Sequence, residues 1–236
     1  MIDPRPLWDF SDPAGSEGRF RAAAQGRPSP EAEAWATQVA RALGLQERYD
    51  EGHNVLDGID SDDAEVRCRV ALERGRLWRS AGDADAARPF FEAAVELAPA
   101  DSLQIDAWHM LALVLPRPES TDLTRRALET ARASEEPAAR AWEASLLNNL
   151  GMEHADDGDY AAALPVFEQA LAVRRTGDDA EATRIARWMV AWTLRNLGRT
   201  DEALAIQREL KTELEAAGAQ DRFVDEELAL LKDSAR

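Results

Sequence analysis

The chain has 236 residues, 45% of them hydrophobic and 31% charged, and its 28 Lys and Arg against 45 Asp and Glu give a formal net charge of −17 at pH 7. That apolar fraction suffices for one or two globular domains or one extended array with a continuous core, while the acidic balance excludes whole-surface attraction to nucleic acid or anionic lipid, which need Lys and Arg. No run approaches the roughly 20 apolar residues that span a bilayer, and residues 1–6 (MIDPRP) lack the basic and apolar regions of a secretory signal, so a cytoplasmic protein with neither nucleic-acid nor membrane partners is expected.

Residues 1–30 differ from the rest, with five prolines (Pro4, Pro6, Pro13, Pro28, Pro30) and three glycines (Gly15, Gly18, Gly26). This reads as a leader. Within it, residues 16–25 (SEGRFRAAAQ) suit a short helix, and Leu7-Trp8-Asp9-Phe10 carries large apolar groups that a disordered tail seldom needs. Those aromatics are expected to dock on the first helices after the leader or partly in a groove that the helices form. From Glu31 onward the text is a series of helical segments of about 12 to 16 residues punctuated by Gly, Asp and Pro, with no strand-like alternation. Cys68, the one cysteine, has neither a disulfide partner nor a CxxC companion and reads as a buried reduced thiol. Arginine supplies nearly all the cations, Lys211 and Lys232 being the only lysines, a bias expected of a GC-rich bacterial genome.

The helical segments repeat. Residues 144–175 read as helix, Asp-Gly-Asp turn, helix: Leu150-Gly151 gives a small residue to the first helix, Gly158-Asp159-Tyr160 makes the turn, and Ala163, Phe167 and Ala170 recur on the second. Residues 68–99 repeat this with Gly75, Trp78, Gly82-Asp83, Ala87, Phe91, Ala94 and Pro99. Both segments closely resemble the tetratricopeptide repeat (TPR), in which paired helices approach where one presents Gly or Ala. Three divergent copies align with them. One runs over residues 33–63 through Ala40, Leu43, Tyr49, Gly52 and Leu56. Another runs over 105–136 through Trp108, Ala112, Leu115, Leu128 and Ala131, with Pro116 and Pro118 in place of the turn and therefore a short first helix. The last runs over 184–217 through Ala191, Leu194, Gly198 and Ala203, with Gln207 where the family prefers an aromatic. Copies starting near residues 33, 68, 105, 144 and 184 are spaced by 35 to 40 residues, against about 34 in the family. An amphipathic helix at about 222–233 is expected to cap the array. The resemblance thus implies an all-α solenoid of antiparallel helix pairs, a right-handed superhelix, over residues 31–236.

TPR arrays resemble one another in lining a concave groove with the first helix of each pair, and the matching positions here include Arg41, Arg69, Arg76, Arg79, His109, Arg117, Asn148, Trp188, Trp192 and Arg195. Over all groove positions, six arginines face two aspartates, Asp106 and Asp156. A planar guanidinium holds a carboxylate through two parallel hydrogen bonds, and Trp188 and Trp192 share one helix face. The resemblance therefore implies a scaffold or adaptor that captures an acidic or C-terminal peptide with a hydrophobic anchor. A self-associating repeat module and a small-anion sensor remain alternatives. Arginines and tryptophans at helical spacing also serve as solvated or core residues. Exchanging Arg69, Arg76 and Arg79 together for Gln is expected to leave the fold intact, since surface charges contribute little to stability, yet to weaken binding to an acidic partner. Asn148-Asn149 invites comparison with the chaperone-binding TPR clamp, but Ile185 and Met189 stand where that clamp needs cations.

No catalytic constellation is found. His53, His109 and His154 fall in different copies, and HExxH, GxSxG, P-loop, GxGxxG and calcium-loop patterns are absent. Asp156-Asp157-Gly158-Asp159 lacks the distal bidentate Glu of a calcium loop and reads as an acidic turn. No enzyme activity, cofactor or metal is expected.

Overall fold

Two residue types set the helix boundaries. Asp83 and Asp159 stand outside their helices and accept a backbone hydrogen bond two residues into the first turn, from Ala86 N at 2.8 Å and Ala162 N at 3.0 Å, which satisfies a donor the helix leaves orphaned. Just before each, Gly82 and Gly158 have φ of +92° and +77°, the left-handed conformation that ends a helix at little cost for glycine. The acidic turn is thus a stop followed by a start.

The structure is a computed structural model that describes residues 2–234; Met1, Ala235 and Arg236, which the expected leader and array take in, lie outside the described residues. Among the described residues there is no strand. After a short 3-10 turn at Arg5–Leu7 come α1 (Pro13–Ala24), α2 (Glu31–Gly44), α3 (Tyr49–Asp57), α4 (Ala64–Ser80), α5 (Ala84–Leu97), α6 (Asp101–Ala112) and α7 (Glu119–Ala133). Then follow α8 (Pro137–Arg140), α9 (Glu143–Asp156), α10 (Tyr160–Arg174), α11 (Ala180–Asn196), α12 (Thr200–Ala216) and α13 (Arg222–Ser234). The chain divides into two compact units, one up to Ala139 and one from Arg140 on. No helix among the described residues is long and apolar enough to cross a membrane.

Each unit is built of helix pairs joined by short turns. In the first, α4 pairs with α5 through Phe91, which is fully buried and lies against Gly75; a Cβ at Gly75 would fall 2.4 Å from the ring. In the second, α9 pairs with α10 in the same way, and a Cβ at Gly151 would fall 2.6 Å from Phe167. A bare backbone on one helix lets a whole ring fit beneath the other. The third copy departs from this pattern. Its first helix, α6, begins at Asp101 and ends at Ala112, and the chain then runs non-helically through Pro116 and Pro118, since each proline disfavours helical geometry in the residue before it. In the leader, α1 starts at Pro13 with Asp12 as its cap and packs along α2 through the fully buried Phe20. At the other end α13 buries Val224, Leu228 and Leu231 against α12 and the core of the second unit.

Candidate functional site

In the first unit the first helices α2, α4 and α6 stand side by side. Along this face the core gives way to polar side chains. Thr37, Gln38, Arg69 and Glu73 are all buried, which costs free energy unless each polar group finds a partner. Arg76 donates to Glu73 on its own helix and to Asp106 on α6. Burial opposes charge on Arg76, but the Asp106 and Glu73 carboxylates outweigh it and hold the guanidinium above its usual range. Burial likewise opposes charge on Asp106, and Arg76 and Arg41 overcome it, holding the carboxyl below its usual range. His109 is pushed down chiefly by burial, and Arg76, Arg79 and Arg41 act in the same sense against Asp106.

Arg41, from α2, reaches the same cluster. Burial and the neighbouring Arg76 lower its pKa, with Glu73 and Asp106 opposing. Its guanidinium lies 5.3 Å from the Trp8 ring and 5.8 Å from Phe10, within cation–π range. Arg69 donates to Glu65 at 2.9 Å and to the Ile2 carbonyl at 3.2 Å. The fold thus brings Arg41, Arg69, Arg76, Arg79 and His109 to one region of one unit.

Two features correct the sequence-based picture. Arg76 is not a surface cation, and exchanging it for Gln would strand Glu73 and Asp106, so the triple Gln variant is expected to lose about 3–5 kcal/mol. The groove is also less basic than its six arginines imply. Glu65 pairs with Arg69, and Glu73 and Asp106 pair with Arg76; Glu65 and Glu73 lie off the positions counted along the groove yet turn into it. Charge pairing at helical spacing, Glu65 with Arg69 and Glu73 with Arg76, was the available signal.

The remaining candidates lie in the second unit. Asn148 is half-buried on α9. Trp188 and Trp192 stack with centroids 6.3 Å apart and planes 13° apart; Phe223 of α13 meets Trp188 edge-on, and Tyr160 meets Trp192. Arg195 makes a two-pronged pair with the buried Glu227 of α13, at 2.7 and 2.9 Å. Trp188 and Arg195 thus hold the last helix, and beside Trp188 a cleft of about 470 Å³ opens, lined by Ile185, Met189, Phe223 and Val224.

A tetratricopeptide-repeat family model matches residues 142–210 and another matches residues 69–101. No curated protein matches. Among solved structures, BtubC from P. vanneervenii is similar at 15% identity and a TM-score of 0.67, with 94% of each chain covered. The apo form of RapI is similar at 10% identity and 0.71, over 98% of this chain and 70% of the other. The apo form of the quorum sensor NprR from B. thuringiensis is similar at 15% identity and 0.64, over 94% of this chain and 64% of the other; NprR is also found in complex with its cognate peptide NprX. At these identities the likeness establishes fold: an all-α arrangement of TPR-like helix pairs.

Proposed function

The chain belongs to the tetratricopeptide-repeat family, and from that premise we propose that it is a non-catalytic adaptor that captures a peptide segment on the face of α2, α4 and α6. Arg79 carries this reading. It is exposed, it makes no ion pair among the described residues, and it adjoins His109 electrostatically while Arg69 and Arg76 are already paired. Leu45 and Leu113 cap the C-terminal ends of the neighbouring first helices α2 and α6 and are 47% and 45% exposed. An open guanidinium between two apolar side chains suits a segment with one carboxylate and one hydrophobic anchor. Peptide capture by NprR, which shares the fold, supports the same class of ligand.

The test begins with capture of partners by the full-length protein, followed by affinity measurement on the bound segment. Arg79→Ala is expected to weaken that segment about tenfold at low salt and to flatten its salt dependence. Equal affinity for both proteins would sink the acidic-ligand reading. One observation favours a second reading, self-association: Ile185 and Phe223, beside the cleft of the second unit, are each 51% exposed. On that reading, mass in sedimentation rises with concentration and Ile185→Glu abolishes the rise.

A further inference from the structure

Residues 2–10 lie across the α2–α4 end of the same face, and they are held there in an unusual way. Both main-chain groups of Ile2 are bound by side chains of α4: its N–H donates to Glu65 Oε1 at 3.1 Å, and its carbonyl accepts from Arg69 Nη2 at 3.2 Å. Farther along, Trp8 Nε1 donates to Gln38 Oε1 at 3.2 Å, and Arg41 covers the stacked Trp8 and Phe10 rings. Beneath this segment the floor is buried and polar, with Gln38 1% and Arg69 7% exposed. No residue of the segment itself is buried, and Phe10 is 62% exposed.

That asymmetry is informative. A segment serving only as packing would bury apolar side chains on an apolar floor, because that is where burial stabilises. Leu7 and Trp8 do so in part, against Phe20, Val39 and Leu43, with Trp8 edge-on to Phe20 at 4.8 Å; the rest of the floor consists of groups that read a polypeptide: a carboxylate for an N–H, a guanidinium for a carbonyl, and an amide plus a cation for an aromatic ring. No residue of the cover is itself fully buried, which makes it easier to open than the helices beneath it. A cleft of about 500 Å³ continues from Ile2 and Asp3 past Ala34, Trp35 and Val66, and Trp35 Nε1 is a buried donor with no hydrogen-bond partner among the described residues.

We propose that Gln38, Arg41, Glu65 and Arg69 form a peptide-reading site that residues 2–10 fill as an internal ligand. An incoming partner segment, extended where it meets Glu65 and Arg69 and bearing an aromatic side chain for Arg41 and Gln38, binds by displacing them. This rests on the adaptor reading above and adds to it the chemistry of the partner and the competitor it must overcome. Tethering gives the internal segment an effective concentration of the order of millimolar, so the intact protein holds a free segment weakly.

The test uses the full-length protein and, as probe, a fluorescent N-acetylated peptide with the sequence of residues 2–12. Ile2→Pro removes the N–H that Glu65 accepts, and Phe10→Ala removes a mostly exposed ring; neither replaced residue is itself buried. The double variant is expected to bind the probe about tenfold more tightly than wild type, the order of effect of losing a hydrogen bond to a charged group. Adding Glu65→Gln and Arg69→Ala is expected to reverse the gain. Independently, excess probe added to wild type should speed hydrogen exchange over residues 2–10. Equal affinity for wild type and the double variant, no binding to either, or unchanged exchange would overturn displacement. Those outcomes leave the Arg79 reading in place, whereas a partner indifferent to Arg79→Ala removes that reading and not this one.

Discussion

A single size relation recurs between each first helix and a residue sixteen positions later. Gly75 is followed by Phe91 and Gly151 by Phe167, while Ala40 is followed by Leu56 and Ala112 by Leu128. Where the first residue has no Cβ a ring fits, and where it has one the partner is aliphatic. Gly75→Ala is therefore expected to destabilise by roughly 1–3 kcal/mol through overpacking, despite its better helix propensity. Adding Phe91→Leu should recover part of the loss, giving a coupling of at least about 0.5 kcal/mol in a denaturation double-mutant cycle; simple additivity would contradict the pairing. The fifth copy places Gln207 after Ala191, and Gln207 is fully buried with neither amide atom hydrogen-bonded among the described residues. Gln207→Leu should accordingly stabilise by about 1–2 kcal/mol, and a lower melting temperature would count against it. Cys68 is fully buried, its thiol reaching the Ala94 carbonyl at 3.5 Å. Burial, with Asp106 adding to it, pushes its pKa up to about 12, so at pH 8 the thiol stays neutral and alkylation should proceed only as fast as the fold opens. These small-to-large pairs were legible in the sequence because they are spaced along it. The partners Glu65 and Glu73 were legible only as charges at helical spacing from Arg69 and Arg76, because only the packed helices reveal which side of each turn faces inward.

Among the elements, α13 holds its place by two means: apolar burial of Val224, Leu228 and Leu231, and the pair between Arg195 and Glu227. Glu227 is 4% exposed, so Arg195→Ala leaves a buried carboxylate behind and is expected to cost on the order of 3 kcal/mol. Hydrogen exchange should then rise first over residues 222–234; exchange rising evenly over the second unit would mean that the pair stabilises more than the cap. The Gly-Asp turns could be placed from sequence, since the stop and start signals are local. The first helices α4, α6 and α11 each begin four residues before the copy starts assigned at 68, 105 and 184, because the repeat register follows the recurring packing positions and not the first helical turn. The contacts of residues 2–10 were expected only in outline: Trp8 and Phe10 signalled docking, but the Ile2 clamp is made by main chain, which sequence patterns do not display.

For the molecule as a whole, a net charge of −17 coexists with an arginine-rich face whose deep members are neutralised in place. On the proposed reading, long-range repulsion of acidic partners is offset where a cation remains open, at Arg79, and capture is then sensitive to salt. The TPR pairing supplies a scaffold of adjacent first helices, and on the proposed reading the face of α2, α4 and α6 makes of it a surface for a peptide's backbone, aromatic ring and carboxylate. The most direct measurement is hydrogen exchange of the full-length protein with and without its captured partner segment. Protection concentrated in α2, α4 and α6, with faster exchange over residues 2–10, is the predicted result. Protection confined to α11 and α13, or to no region at all, would contradict the account.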